Sequence, residues 1–234
     1  MGDERLLAAM LGQLIWLALA LAGAAWLGGP LSERLGLVPS RLPWRWVVVA
    51  LVGFLCLSAA ADAGLRTLAL REGGRLGEID ELVRDTRAAL AASLVALGLL
   101  PALCEELLFR GFALRALEGR FATWVAVTGS SVLFGLAHAD LVHGGAAFVL
   151  GLYLGVVAVW AGSVVPAILC HAANNLYGIA ALAGLAPPGE PLDAVGAWGL
   201  LVASGVCLTL LRAVRKRPLP VGNELQREAE SADS

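Results

Sequence analysis

Cys104-Glu105-Glu106-Leu107-Leu108-Phe109-Arg110-Gly111 lies inside a mainly apolar run from Ala88 to Leu117. About 20 consecutive apolar residues are enough to carry a helix across the hydrocarbon core of a bilayer. Glu105, Glu106 and Arg110 therefore fall at membrane depth, where a charged side chain costs about 2.5–3.5 kcal/mol on insertion scales. Charges kept at such a cost are expected to have a function.

Working outward from this run, six further segments have the same character, because only a helix or a closed barrel satisfies the backbone in lipid. The expected spans are Leu6 to Leu27, Trp44 to Leu65, Ala88 to Leu117, Phe121 to Ala139, Gly145 to Ala161, Val164 to Leu185 and Ala194 to Ala213. Pro30, Pro39, Pro43, Gly73, Gly74, Pro187, Pro188 and Pro191 fall between them, as breakers should. The N-terminal run has a poor positive leading segment, with Asp3 and Glu4 beside Arg5, and is read as a retained helix rather than a signal peptide. The fold class is therefore all-α, a polytopic transmembrane bundle of about seven spans. The stretch from Arg66 to Arg87 mixes charges with Leu76, Ile79, Leu82 and Val83 at helical spacing, which predicts an interfacial amphipathic helix.

Composition agrees with this reading. Of 234 residues, 59% are hydrophobic and 15% charged, and the mean hydropathy is +0.78, well above what a soluble domain needs. The net charge of −2 gives no basic field for nucleic acid. Cys56, Cys104, Cys170 and Cys207 show no CxxC spacing and read as apolar packing residues. The single lysine, Lys216, among many arginines hints at a bacterial source, and hence a multi-pass protein of a bacterial inner membrane. The expected organisation is 1–87 for the first spans and the amphipathic segment, 88–185 for the core, 186–213 for the last span, and 214–234 for a disordered polar tail. The basic cluster Arg212, Arg215, Lys216 and Arg217 points the last span's end to the cytoplasm. Seven spans then put the N-terminus outside, with the loops bearing Arg34, Arg41, Arg115 and Arg120 inside.

Helical spacing assigns the two carboxylates different tasks. Glu106 and Arg110 are four apart with the acid first, the order that an ion pair on one face prefers. Glu105 is rotated by about 100° and left free, which makes it the candidate base. In the sixth span, His171 and Asn175 are also four apart and present two donors to one point, as an oxyanion hole requires. His138, one turn after Phe134, can face the interior and share a water with Glu105. Pro101, four residues before Glu105, removes a backbone hydrogen bond and predicts a kink or widening there. Three other polar residues have weaker claims: His143, in the loop after the fourth span; Asp62, near the end of the second; and Asn174, expected to turn away from Asn175.

In their order and spacing, Glu105-Glu106-x-x-x-Arg110, Phe134-x-x-x-His138 and His171-x-x-x-Asn175 resemble the CPBP family of intramembrane proteases, also called the ABI or CAAX protease family. The resemblance covers about residues 88–185. It implies glutamate-dependent peptide hydrolysis: Glu105 and His138 activate a water, His171 and Asn175 stabilise the oxyanion, and Glu106 with Arg110 braces Glu105. It implies a membrane-anchored protein or peptide as substrate, the lipid bilayer as surroundings, and no cofactor. CAAX-like removal of a C-terminal segment and myxosortase-like sorting both fit the motifs.

Two rival readings remain. His138, His171 and a glutamate could supply three zinc ligands, although there is no His-Glu-x-x-His and Asn175 would lack a role. A non-enzymatic immunity or transport protein is the other, but a transporter would be expected to show an internal repeat, and the Glu-Glu and His motifs have no second copy.

Overall fold

The computed structural model describes residues 2–70, 74–85, 90–185 and 194–215. Within them the chain forms α1 (Gly2–Trp26), a single turn α2 (Leu31–Arg34), α3 (Trp44–Thr67), α4 (Gly74–Asp85), α5 (Leu90–Glu118), α6 (Thr123–Ala137), α7 (Leu141–Ala161), α8 (Val165–Leu182) and α9 (Ala194–Arg215). The expected polar tail beyond Arg215 and the prolines at 187, 188 and 191 lie outside the described residues.

Six helices have the length and apolarity to cross a membrane, namely α1, α3, α5, α7, α8 and α9. The seventh expected span is α6, apolar but only 15 residues long. At 1.5 Å per residue it reaches about 22 Å, short of a bilayer core of about 30 Å. Its shortness follows from its ends: Ala122 holds extended backbone, and Ala139 turns the chain with φ of 51°. The chain is a multi-pass membrane protein, and Leu7, Leu11, Leu14 and Ile15 on α1 are among the apolar side chains left for lipid.

Two expectations shift. Helix α7 begins four residues before Gly145, because Asp140 caps it by accepting the His143 backbone N–H at 2.7 Å. His143 therefore belongs to the first turn of a helix and not to a loop. The amphipathic helix is α4, with Leu82 and Val83 buried, and Leu82 joins Leu6 and Ala96 in a small apolar cluster. The helix is thus packed onto the bundle.

Helix α5 is the axis of the site. It contains two stretches of wide π-type turns, Leu94–Leu99 and Leu107–Ala113. The first directly precedes Pro101, which lacks an N–H and whose ring would collide with the carbonyl four residues back; this is the expected widening. The second carries Arg110.

Small residues let helices approach this axis. A Cβ on Gly23 of α1 would lie 2.5 Å from the Phe112 ring, and one on Gly111 would lie 2.7 Å from the Leu35 carbonyl oxygen. Helices α6 and α7 cross where Gly135 and Gly144 meet backbone to backbone, so that a Cβ on Gly135 would lie 2.7 Å from the Gly144 oxygen. At the α2 end of the bundle, the Val164 N–H donates to Gly36 O (2.9 Å), Arg41 N–H to Ala161 O (2.8 Å) and Arg115 Nη2 to Gly162 O (3.0 Å). These bonds tie the segment after α2 to the turn between α7 and α8.

Candidate active site

Glu105 and Glu106 sit at mid-length of α5, opposite His171 of α8 and Gln13 of α1. Glu106 is fully buried, and one of its oxygens serves two partners. Arg110 Nη1 donates to Oε1 at 2.8 Å, and His171 Nδ1 lies 2.9 Å from the same atom. The expected Glu106–Arg110 pair is present, and it extends to a third member on another helix.

Arg110 is also fully buried. Its guanidinium lies 4.2 Å over the Phe134 ring, whose negative face partly offsets the loss of water. Gly151 of α7 makes the space, since a Cβ there would lie 2.8 Å from Arg110 Nη2. Nε and Nη2 of Arg110 and Oε2 of Glu106 find no protein hydrogen-bond partner among the described residues. Each charge of this buried pair has given up its water, so removing either partner would leave an unpaired buried charge.

Glu105 was expected to be free, but it is held. Gln13 Nε2 donates to its Oε1 at 2.8 Å. Its Oε2 faces His171 Nε2 at 4.0 Å, a separation that a direct hydrogen bond does not span. The Glu105 and His171 side chains are 12% and 10% exposed, whereas Glu106 and Arg110 have none. The two carboxylates therefore occupy different surroundings on one helix, as their rotation about the axis requires.

His138 closes α6 and reaches the cluster through an aromatic relay. Its Nδ1 lies 2.8 Å from the Phe134 carbonyl oxygen, which can only accept, so Nδ1 carries the proton. In the neutral ring Nε2 then holds the lone pair. The ring stands edge-on to Phe134 at 4.8 Å, and Phe134 is 6.1 Å from His171. Among the described residues no direct hydrogen bond joins His138 to Glu105. The His143 ring lies 4.3 Å from His138, a proximity that follows from the early start of α7.

Asn175 lies one helical turn after His171 on the half-buried side of α8. Asn174 was expected to turn away from it, yet Asn174 Nδ2 reaches Asn175 Oδ1 at 3.5 Å, a long contact between neighbouring amides. Asp62 bonds Arg66 at 2.7 Å on α3, apart from this cluster. Among the described residues no three His, Cys, Asp or Glu side chains are grouped to hold a metal ion.

Gln13 is the site neighbour that sequence reasoning missed. A polar amide at the midpoint of an apolar span was a signal to look for a partner across helices.

Residues 87–177 match the family model described as type II CAAX prenyl endopeptidase Rce1-like, a range that includes every motif residue from Glu105 to Asn175. Comparison with curated proteins gave no match, and neither did comparison with solved structures. The matched segment carries the two carboxylates, His138, His171 and Asn175, and over these residues the chain is similar to the CAAX-type membrane proteases of that description.

Proposed function

We propose that the chain is a glutamate-dependent intramembrane endopeptidase that cuts a membrane-anchored protein near its C-terminus. The observation that carries this reading is the gap between Glu105 Oε2 and His171 Nε2, 4.0 Å wide, between two side chains that are 12% and 10% exposed.

In the proposed reaction a water held by Glu105 and His138 Nε2 gives a proton to Glu105 as its oxygen bonds the scissile carbonyl carbon. The carbonyl π electrons move to oxygen. His171 Nε2–H and Asn175 Nδ2–H would hold that oxyanion, with ionised Glu106 on Nδ1 as counter-ion to a doubly protonated imidazole. The C–N bond then breaks as the proton passes from Glu105 to the leaving nitrogen. Both protein donors come from one face of α8, and the apolar surroundings increase their strength. Arg110 enters only through Glu106, whose position it fixes.

The substrate class rests on the matched family's description and on the membrane location of the site. The test is cleavage by the purified chain in proteoliposomes, using an internally quenched farnesylated CAAX peptide and, in parallel, a protein with a C-terminal membrane anchor. Wild type, Glu105→Ala and wild type with a chelator are compared. Chelator-resistant cleavage that Glu105→Ala abolishes supports the reading, and the probe that is cut identifies the substrate type. Cleavage abolished by chelator and restored by zinc replaces glutamate chemistry with a metal mechanism.

A further inference from the structure

We propose that Gln13 of α1 is a positioning residue for Glu105, holding one carboxylate oxygen so that the other stays turned towards His171. The inference rests on Glu105 being the base of the proposed reaction, and it brings into the site a helix that lies outside the matched residues 87–177.

The orientation of the amide is determined by chemistry. A carboxylate only accepts, so the Gln13 NH2 group, and not its carbonyl, must face Glu105. The bond is short, at 2.8 Å, and it takes up Oε1. Oε2 is thereby directed at His171 Nε2 across the 4.0 Å gap. The terminal torsion of a glutamate is broad, so a carboxylate with no fixed donor samples many orientations. Among the described residues, Gln13 is the only side chain that hydrogen-bonds Glu105. Its neighbour Glu106 takes both the Arg110 and the His171 Nδ1 donors.

Gln13 is not part of a wider polar network. Its Oε1 is buried with no protein donor among the described residues, and next to it on α1 the apolar side chains of Leu14 and Ile15 are 49% and 61% exposed. An amide half-satisfied at this depth weakens the fold, so its presence is better explained by what its nitrogen does for Glu105. Helix α1 is held close enough for this bond by small residues. Ala20 and Ala24 are fully buried, Gly23 faces the Phe112 ring, and Trp16 stands 6.1 Å from Phe109.

The experiment measures kcat and KM for the full chain in proteoliposomes with the quenched farnesylated peptide. It compares wild type, Gln13→Met, Gln13→Asn and Glu105→Ala, with thermal unfolding of each. Methionine keeps the length and removes the donor; asparagine keeps the amide but withdraws it by one methylene. A positioning role predicts that Gln13→Met lowers kcat about 10-fold or more with KM changed less than about 2-fold. It also predicts an unfolding midpoint that does not fall, and an intermediate kcat for Gln13→Asn. Wild-type kcat in Gln13→Met, beside an inactive Glu105→Ala, overturns the proposal while leaving the proposed function standing. A loss of kcat matched by a lower unfolding midpoint makes Gln13 merely structural and overturns it as well. Cleavage that survives Glu105→Ala removes the base itself, and that failure belongs to the proposed function.

Discussion

Around α5 the helices meet through charge, whereas between α3 and α9 they meet through shape. The α5 neighbourhood joins four helices by directed bonds: Gln13 to Glu105, Arg110 to Glu106, Glu106 to His171, and the Arg110 guanidinium over Phe134. The α3–α9 seam is built from Ala50, Phe54 and Leu211, with Gly53 admitting Cys207 and the Tyr153 hydroxyl. Its nearest polar tie is that hydroxyl, which donates to the Ala50 carbonyl at 2.9 Å. Both regions are buried. In the seam, many weak contacts tolerate small displacements; in the polar layer, each group depends on one or two named partners.

The strongest test of this contrast is Glu106→Leu. It leaves Arg110 charged and buried and takes the acceptor from His171 Nδ1, so a loss of about 3–5 kcal/mol is expected, with little folded protein recovered. Thermal unfolding and size-exclusion profiles in detergent measure it. A Glu106→Leu chain as stable as wild type would mean that the polar layer, like the seam, is held by packing.

Next in size is a matched pair of glycine substitutions. A Cβ at Gly151 would lie 2.8 Å from Arg110 Nη2 and 3.2 Å from the Phe134 ring, and one at Gly53 would lie 2.6 Å from Cys207 Cβ. Each alanine is expected to cost about 1–3 kcal/mol through overpacking. Only Gly151→Ala should also lower kcat, because it moves the arginine that positions Glu106. Equal kcat losses in the two variants would break the comparison.

The smallest effect is at the end of the bundle that carries α4. Asp140 accepts the His143 backbone N–H at the start of α7, and this bond first, then the Arg75 and Val142 N–H groups, hold its carboxyl below the usual carboxylate range. A depressed folded value means that the cap stabilises above the unfolded value and is lost as pH falls through the folded one. Hydrogen exchange of the first α7 amides should therefore show an acid-dependent opening that Asp140→Ala abolishes, while amides of α3 and α9 show none. An opening that persists in Asp140→Ala would assign it to another group.

Much of the fold can be read along the chain, because lipid demands a continuous apolar run and a helical backbone, and both are local properties. Two of the bounds that moved have local causes: the Asp140 side-chain cap that starts α7 early, and the left-handed backbone turn at Ala139 after α6. The site is half legible. Glu106 and Arg110, like His171 and Asn175, are partners within one helix, so a spacing of four predicts that they share a face. The Glu106–His171 link and the Gln13–Glu105 link join residues 65 and 92 positions apart, and no periodicity encodes them.

The sequence by itself determined the solvent of this protein, the existence of its apolar helices and the three motifs that carry its family resemblance, since each depends on composition or on spacing within a single helix. Only the tertiary structure decided which oxygen of which glutamate meets which donor. That choice depends on how closely α1, α7 and α8 approach α5, and the approach is set by glycines and alanines at crossings between segments far apart in the chain.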